Sequence, residues 1–412
     1  MQADSEGFLY PVVDEAVCVD CGLCEKVCHE QHPFDERLPL NVYAAINKDE
    51  SVRIASSSGG IFYLLAEKTI AEGGIVFGAR FDDQWQVVID YADTLDGVRP
   101  FMGSKYVQAR IASAYKDAEA FLKSGRKVLF SGSPCQIAGL HHFLAKSYDN
   151  LTTVDFVCHG VPSPKVWRLY LDEVVTFGKK AITDIKFRNK KNGWKKFNFV
   201  LAYDDQDKSV SLSSFHGANH FMRAFLSDMI LRPSCHECRA KQGRSHSDIT
   251  IADFWGINNS MPEMDDDKGT GLILLNTEKG RHSLDWNKVS FKESAYNVAA
   301  RYNGGLRSIT KPHPKRSDFF AHLDSQTNLV SWIDICLRPT LKQRIMRLLR
   351  KLKSRVLFAL NSLKSGGVKT ENPTIKPSEN TPLTLSEARI SNVTFRKKDN
   401  GWKTYEMEIK LK

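Results

Sequence analysis

Residues 127–158, KVLFSGSPCQIAGLHHFLAKSYDNLTTVDFVC, decide the predicted fold. KVLF is a short apolar run that predicts a buried strand, GSP predicts a turn, and CQIAGLHHFLA predicts a helix. LTTVDFVC predicts a second buried strand, and the polar loop HGVPSP follows it. This alternation of strand, loop and helix indicates an α/β core with parallel strands.

The same alternation extends toward the N-terminus, and a hairpin follows it. SSSGG (56–60) precedes an apolar helix, IFYLLAEKTIAEGG, and IVFGARF (75–81) predicts a strand. Residues 182–201, ITDIKFRNKKNGWKKFNFVL, predict a β-hairpin because Asn192-Gly193 favours a tight turn between alternating segments. Residues 390–409, ISNVTFRKKDNGWKTYEMEI, repeat that hairpin with eight of twenty aligned positions identical.

Composition restricts the class of protein. The chain has 412 residues, 42% of them hydrophobic, which suffices for one large core domain with smaller attachments. No apolar run reaches the ~18 residues of a membrane span. The start, MQADSEGFLYP, lacks the basic and apolar pattern of a signal peptide, so a cytoplasmic protein is expected.

Four of the nine cysteines form one compact run. They are Cys18, Cys21, Cys24 and Cys28, with the spacing C-x2-C-x2-C-x3-C of bacterial ferredoxins. Two-residue gaps let successive thiolates wrap one 4Fe–4S cube, and Gly22 permits the tight backbone that this requires. Zinc sites also use C-x2-C pairs, but three evenly spaced cysteines followed by a fourth are typical of 4Fe–4S ligation.

The run departs from the ferredoxin pattern in two ways. Cys28 is followed by His29 where the pattern has proline, and only one run is present. In two-cluster ferredoxins the fourth cysteine ligates the other cluster. Either Cys28 closes a single cluster locally, or a first run lies upstream of Met1. We expect an N-terminal truncation, and hence one or two clusters in total.

A second set of cysteines is spread along the chain. Cys135 follows the first strand, Cys158 ends the second, and Cys235 and Cys238 form a C-x2-C pair. Ligands at strand ends converge on the carboxyl edge of an α/β sheet, where four thiolates would hold another 4Fe–4S cluster. The alternative is buried cysteine for the first two and a zinc or bare thiol pair for the others. Cys336, in the apolar stretch WIDIC, is expected in the core.

Several motifs together resemble one family. In order they are SSSGGIFYLLAEK, GSKYVQ, VLFSGSPCQIAGL, VDFVCHGVPSPKVW, the FRxKxxGWK hairpin, LRPSCHEC and SDITIADFWGI. Over about residues 8–310 they resemble the coenzyme F-420 hydrogenase/dehydrogenase beta-subunit family, in its bacterial branch with an N-terminal ferredoxin segment. That resemblance implies FAD, a 4Fe–4S cluster at the second set of cysteines, and hydride exchange with the deazaflavin coenzyme F-420.

The resemblance also implies flavin contacts. It places Ser57, Ser58, Gly59 and Gly60, with Lys105, near the flavin. A Ser/Gly turn at a helix start offers free N–H groups to a pyrophosphate, and Lys105 would neutralise a phosphate. The alternative for the SSSGG motif is a plain helix N-cap. Asp253 either orients a cluster ligand or flavin edge, or caps a turn.

These features predict an iron–sulfur, flavin-containing oxidoreductase subunit that couples hydride transfer to one-electron transfer. Its partner would be a redox protein or a soluble electron carrier. The sequence assigns no catalytic residue and leaves open whether the deazaflavin is used. The alternative is a non-catalytic iron–sulfur scaffold in polysaccharide biosynthesis. Nucleic acid is not predicted, because only the net charge of +10 suggests it.

The predicted fold class is α+β, with an α/β core at its centre. The predicted segments are a ferredoxin-type segment (8–30), a connector (31–55), the two parts of the core (56–175 and 176–330), a basic amphipathic helix (335–364), a linker (365–386) and a second hairpin (387–412). Residues 340–364 place leucines on one helical face and lysine and arginine on the rest. Such a helix lies on the inner membrane face, contacts a partner, or packs on its own domain.

Overall fold

A computed structural model describes residues 1–175, 181–205, 208–339, 390–397 and 405–411. The chain divides into two compact units, Met1–Arg338 and Pro339–Lys412. The predicted basic helix at 340–364 and the linker at 365–386 lie outside the described residues. Within the described residues, no helix is long and apolar enough to span a membrane.

The strands are β1 Gln2–Ala3, β2 Leu9–Tyr10, β3 Asn41–Asn47, β4 Ile75–Phe81, β5 Val87–Ala92, β6 Val128–Gly132, β7 Leu151–Phe156, β8 Ala181–Asn189, β9 Asn198–Asp205, β10 Lys208–Phe215, β11 Ile249–Asp253, β12 Gly271–Leu275, β13 Val289–Ser294, β14 Ile390–Lys397 and β15 Tyr405–Leu411. The α-helices are α1 Leu23–Lys26, α2 Glu50–Ala55, α3 Ile61–Ala71, α4 Leu95–Val98, α5 Ala114–Lys123, α6 Pro134–Leu144, α7 Pro164–Val175, α8 His220–Leu226, α9 Ile257–Ser260, α10 Glu278–His282, α11 Tyr296–Tyr302, α12 Arg316–Ala321 and α13 Leu329–Leu337.

An eight-stranded sheet organises the first unit, in the order β13-β3-β12-β11-β7-β6-β4-β5. The four neighbours β11, β7, β6 and β4 run parallel, and every other neighbouring pair is antiparallel. The α+β class is therefore confirmed, and the predicted parallel strands form the middle of a mixed sheet. Most residues of β4, β6 and β7 are buried, as expected for strands covered on both faces.

The stretch that decides the fold forms the expected elements for local reasons. The turn after β6 is a capping box, in which Ser133 and Gln136 exchange side-chain and backbone hydrogen bonds. Pro134 occupies the first turn of α6, where a missing N–H does no harm. The helix then buries Ile137, Leu140 and Leu144. Strand, cap and helix are thus specified by adjacent residues.

The predicted hairpin at 182–201 is β8 paired with β9, and β10 extends it to a three-stranded antiparallel sheet. The sequence did not predict β10, because alternating serines leave most of that strand exposed. Residues 190–197 join the two strands, so the connection is longer than the predicted tight turn at Asn192-Gly193. Within it the Gly193 N–H donates to the carbonyl of Lys190 at 2.9 Å, and Gly193 has φ +95°, which glycine adopts without strain. The sheet packs Phe187 and Phe199 against Trp167 of α7 and Phe221 of α8.

The segment 31–55, predicted as a connector, also contributes to the main sheet. It contains β3, which pairs with β12 on one side and β13 on the other, and it contains α2. Ala44 and Ala45 are completely buried in this strand. The segment therefore includes a strand of the sheet in addition to the proline-containing stretch on which the connector prediction was based.

The repeated hairpin forms an antiparallel pair in the second unit. β14 pairs with β15 through Val393–Ile409 and Thr394–Glu408. The aligned positions of the first hairpin pair identically, Ile185 with Leu201 and Lys186 with Val200. The two copies therefore share strand register as well as sequence.

Candidate functional site

Two parallel neighbouring strands bring two of the predicted ligands to one sheet edge. β6 and β7 pair in parallel register, with Gly132 opposite Asp155. Cys135 lies in the first turn of α6, three residues after β6, and Cys158 lies two residues after β7. Because carboxyl ends of parallel strands meet at one edge, the loop cysteines approach each other there.

The C-x2-C pair reaches this edge through backbone pairing. Pro162 forms a bridge with Leu231, and the Arg232 N–H donates to the carbonyl of Val161 at 3.0 Å. The Val161 N–H in turn donates to the sulfur of Cys235 at 3.4 Å. The loop after β7 thus holds the short 3-10 helix Pro233–Glu237, from which Cys235 projects, and Cys238 follows it.

The four thiols are close enough to perturb one another. Burial, partly opposed by the Ser133 hydroxyl and reinforced by Cys235 and Cys238, raises the pKa of Cys135 to about 12. Burial together with Cys235 and Cys135 raises the pKa of Cys158 well above its usual value. Burial also raises the pKa of Cys235. Neutral thiols are favoured here unless cations or a metal stabilise the thiolates.

Four cysteine thiols are donors that both zinc and iron–sulfur clusters use. Within the described residues, no group of three or more His, Cys, Asp or Glu side chains is placed to hold one metal ion. A zinc ion draws its thiolates to about 2.3 Å and so gathers them around one point. A 4Fe–4S cube takes each thiolate on a different iron, so its ligands stand farther apart.

The N-terminal cysteine run lies on the surface. Cys18, Cys21 and Cys24 are exposed and Cys28 is half-buried. Gly22 has φ +66° and precedes α1, as the tight turn predicted for this run requires. Several apolar neighbours are also exposed, including Val17, Val19 and Leu23.

Both flanks of this run attach to the body that carries the core cysteines. On the N-terminal side Arg316 binds Glu6, and Arg232 donates to the carbonyl of Leu9 at 2.9 Å. On the C-terminal side Arg239 donates to the carbonyl of Glu30 at 2.9 Å. Phe34 stacks between His142 and His246 with ring centroids 4.4 Å from each. The run is therefore held beside the residues that follow Cys238.

The predicted flavin contacts form a second group of neighbours. The hydroxyl of Ser57 accepts a hydrogen bond from the Ser104 N–H at 2.7 Å, so the Ser/Gly loop touches the residue before Lys105. Among the described residues, the ammonium group of Lys105 donates to the carbonyls of Met102 and Gly103. Burial without an acidic partner lowers the pKa of Lys105 to about 7. An anionic group bound there would stabilise the charged lysine.

The two glycines of the loop have structural tasks. A Cβ on Gly59 would stand 2.4 Å from the carbonyl oxygen of Ala45, so only glycine allows the loop to cross β3 this closely. Gly60, at φ +80°, is the N-cap of α3 and has no side-chain cap. The hydroxyl of Ser58 donates to the carbonyl of Thr270. The SSSGG motif therefore does supply the N-cap of α3, through Gly60 and without a side-chain cap.

Hairpin residues that sequence reasoning did not single out surround this loop. Lys190 is almost fully buried and donates to the carbonyls of Arg53, Ser58 and Lys268. Burial, with Arg188 and Arg53 nearby, lowers the pKa of Lys190 to about 7. The lysine thereby fastens the hairpin to the Ser/Gly loop. In the sequence it is one of several lysines in a basic stretch, so nothing marked it as buried.

Asp253 joins the hairpin to β11. It pairs with Arg188, whose side chain is only 4% exposed, and accepts a hydrogen bond from Trp194 Nε1 at 2.8 Å. Trp194 stacks on Trp255 with ring centroids 4.8 Å apart. Nε and Nη2 of Arg188 have no hydrogen-bond acceptor among the described residues. Of the two roles considered for Asp253, turn capping is not observed.

The mixed sheet carries Cys135 and Cys158 beyond the carboxyl ends of two neighbouring parallel strands, and the Cys235–Cys238 segment lies beside them. Residues 125–292 match the family model for the C terminus of the beta subunit of coenzyme F420 hydrogenase/dehydrogenase. The matched region contains all four core cysteines and the first hairpin, and the N-terminal cysteine run lies outside it.

The chain is also similar to a solved structure. That structure is a chain from the F420-reducing NiFe hydrogenase complex of Methanosarcina barkeri, with 18% identity and a TM-score of 0.42. The alignment covers 62% of this chain and 83% of that one. No curated protein matches the sequence.

Proposed function

We propose that this chain is an iron–sulfur oxidoreductase subunit in which Cys135, Cys158, Cys235 and Cys238 hold a 4Fe–4S cluster. The carrying observation is that four cysteines from three separate parts of the chain meet at one sheet edge within the family region. Chance burial of single cysteines would scatter them through the core, as happens to Cys336, which is 2% exposed. The cluster would carry single electrons.

We further propose that the Ser57–Lys105 region binds the phosphates of FAD. Lys105 has a depressed pKa and only carbonyl partners, and the loop beside it is tightly fixed by Lys190. A buried ammonium group in this state favours an anionic ligand. A bound flavin would exchange hydride and release electrons singly, which would couple two-electron chemistry to the cluster. The electron partner would be a redox protein or a soluble carrier such as the deazaflavin.

The N-terminal run is proposed to hold an additional cluster. Its spacing is that of ferredoxins, and its exposed position beside the core cysteines suits electron entry from another protein. The exposed apolar residues around it, such as Val17 and Val19, would lie in that contact. We propose a cytoplasmic location for the whole reaction.

Anaerobic purification followed by cofactor analysis tests these proposals. We expect iron and acid-labile sulfide, a broad visible absorption of an iron–sulfur protein, and an electron paramagnetic resonance signal after reduction. Flavin released by denaturation would identify FAD. A colourless protein that takes up neither iron nor flavin after reconstitution would refute the oxidoreductase assignment. Iron without flavin would instead favour a scaffold or accessory protein.

A further inference from the structure

Lys241 is a buried cation beside the core cysteines. Lys241 is only 5% exposed and lies three positions after Cys238 in the sequence. It lines a cavity of about 30 Å³ together with Cys158 and Pro134, the residue before Cys135. Its charge favours the thiolate forms of Cys158 and Cys235. The lysine thus faces the same sheet edge as the proposed cluster.

No carboxylate of the described residues pairs with this lysine. Its ammonium group donates to the carbonyl of Ser308 at 3.1 Å, a neutral partner. The acid on the cavity wall, Asp155, accepts from the Ser247 hydroxyl at 2.9 Å and forms no ion pair with Lys241. Since burying an unpaired charge is costly, a missing anionic partner is indicated.

The backbone around Lys241 fixes its position relative to Cys158. A Cβ on Gly305 would lie 3.4 Å from the carbonyl oxygen of Cys158, so the segment before Ser308 packs directly on that cysteine. Further along, the Thr310 hydroxyl donates to the carbonyl of His159 at 2.8 Å. Ser308, whose carbonyl accepts from the Lys241 ammonium group, therefore belongs to a segment that is bound to the loop carrying Cys158.

We propose that Lys241 is the counter-charge of the core 4Fe–4S cluster and raises its reduction potential. This inference rests on the proposed function. Four thiolates outweigh the positive charge of the iron–sulfide core, so the site is anionic, and reduction adds another negative charge. A fixed ammonium group in a poorly hydrated position stabilises the reduced form more than the oxidised form. Lys241 is a tuning residue, with no contact to substrate required.

The test is a redox titration of Lys241→Met followed by electron paramagnetic resonance. A background carrying Cys21→Ser and Cys24→Ser removes the N-terminal run, so that only the core cluster is titrated. We expect the reduction equilibrium to fall about ten- to hundredfold, equivalent to a midpoint lower by roughly 60–120 mV for one electron. Lys241→Arg keeps the charge and is expected to retain the original midpoint.

Lys279→Met is the matched control, because it removes an equal charge from a lysine that is 40% exposed and paired with Asp248. Its midpoint is expected to stay unchanged. Should Lys241→Met fail to load iron, Lys241→Gln is the second neutral variant, since its amide still donates to Ser308. Iron loss from both neutral variants with retention in Lys241→Arg would support the counter-charge role.

The outcomes separate this inference from the proposed function. If the unmodified protein takes up no iron, the proposed function fails. If it holds the cluster and the neutral variants keep the same midpoint, only the counter-charge inference fails. Iron loss from Lys241→Arg as well would show that side-chain shape matters instead of charge, and would also overturn it.

Discussion

The lysines around the Ser/Gly loop differ in which groups compensate their positive charges. Lys105 and Lys190 are both surrounded by carbonyl groups, and burial lowers the pKa of each to about 7. Lys190 donates to three carbonyls, and it thereby connects the hairpin to the Ser/Gly loop. Lys105 donates to two carbonyls, and both belong to the residues just before it in the chain. We therefore assign a structural task to Lys190 and ligand binding to Lys105.

The proposed role of Lys105 predicts that flavin binding depends on pH. In the free protein it is protonated below about pH 7, so its attraction for a phosphate is full there and declines as the pH rises through that value. We expect FAD affinity to fall between about pH 6 and about pH 9 in the unmodified protein. The variant Lys105→Met should bind more weakly, and the contribution of this group to the pH dependence should disappear. Fluorescence quenching of FAD measures both effects, and equal pH profiles would contradict this role.

The cysteines offer an internal comparison at the same scale. Cys235→Ser removes a proposed cluster ligand, and we expect iron content per chain to fall after reconstitution. Cys336→Ser changes a cysteine that is buried in the hydrophobic core beside Phe319. It should therefore lower the free energy of unfolding by about 1–3 kcal/mol and leave the iron content unchanged. Iron analysis with thermal unfolding measures the two variants. Equal iron content in both would exclude Cys235 as a ligand.

Among the elements, the hairpin β8–β9 depends on one buried ion pair. Asp253 compensates Arg188 and also accepts from Trp194, so two side chains of the hairpin share one carboxylate of β11. Burial lowers the pKa of Arg188, but Asp253 more than offsets this, and the net pKa is raised. The pair therefore holds the hairpin against β11 and, through Lys190, against the Ser/Gly loop.

Removing this carboxylate should loosen the hairpin. We expect Asp253→Asn to reduce the free energy of unfolding by about 3–5 kcal/mol, because an uncompensated buried guanidinium remains. Glu263→Gln breaks the exposed pair with Lys292 and should leave the free energy of unfolding nearly unchanged, because water already screens that pair. Chemical denaturation compares the two variants, and hydrogen exchange over 185–201 should increase only in the first. If Asp253→Asn and Glu263→Gln lost similar amounts of stability, burial of the ion pair would not be the cause of the loss.

At the scale of the whole molecule, the first unit contains every predicted site residue. Met1–Arg338 is one compact unit that ends just after α13, and its cysteines and flavin-loop residues all lie within it. The second unit repeats the hairpin but contains none of the proposed ligands. The proposed cofactor sites therefore all lie in the first unit.

A chain that ends at Arg338 tests this division. We expect it to fold, with a melting temperature within a few degrees of the full chain and the same iron content per molecule. The physical reason is that the hydrophobic clusters of the described core are built from residues before Arg338. Calorimetry and iron analysis provide the comparison. Aggregation or loss of iron would show that residues beyond Arg338 support the core.

The sequence by itself determined the features that neighbouring residues specify. The strand–cap–helix unit at 128–144, the hairpin turn at Asn192-Gly193 and the ferredoxin spacing each depend on contacts within a few residues, so their patterns are visible in the chain. Burial of Cys336 followed from an apolar run in the same way. The family motifs then indicated which distant cysteines belong together.

Only the tertiary structure decided the contacts between distant segments. The insertion of β3 between β12 and β13, the burial of Lys190 and Lys241, and the pairing of Arg188 with Asp253 join residues far apart in sequence. A lysine has the same letter whether it is solvated or buried, because burial is set by what the rest of the chain packs around it. The charges that tune both proposed sites therefore emerged from the packing of the molecule.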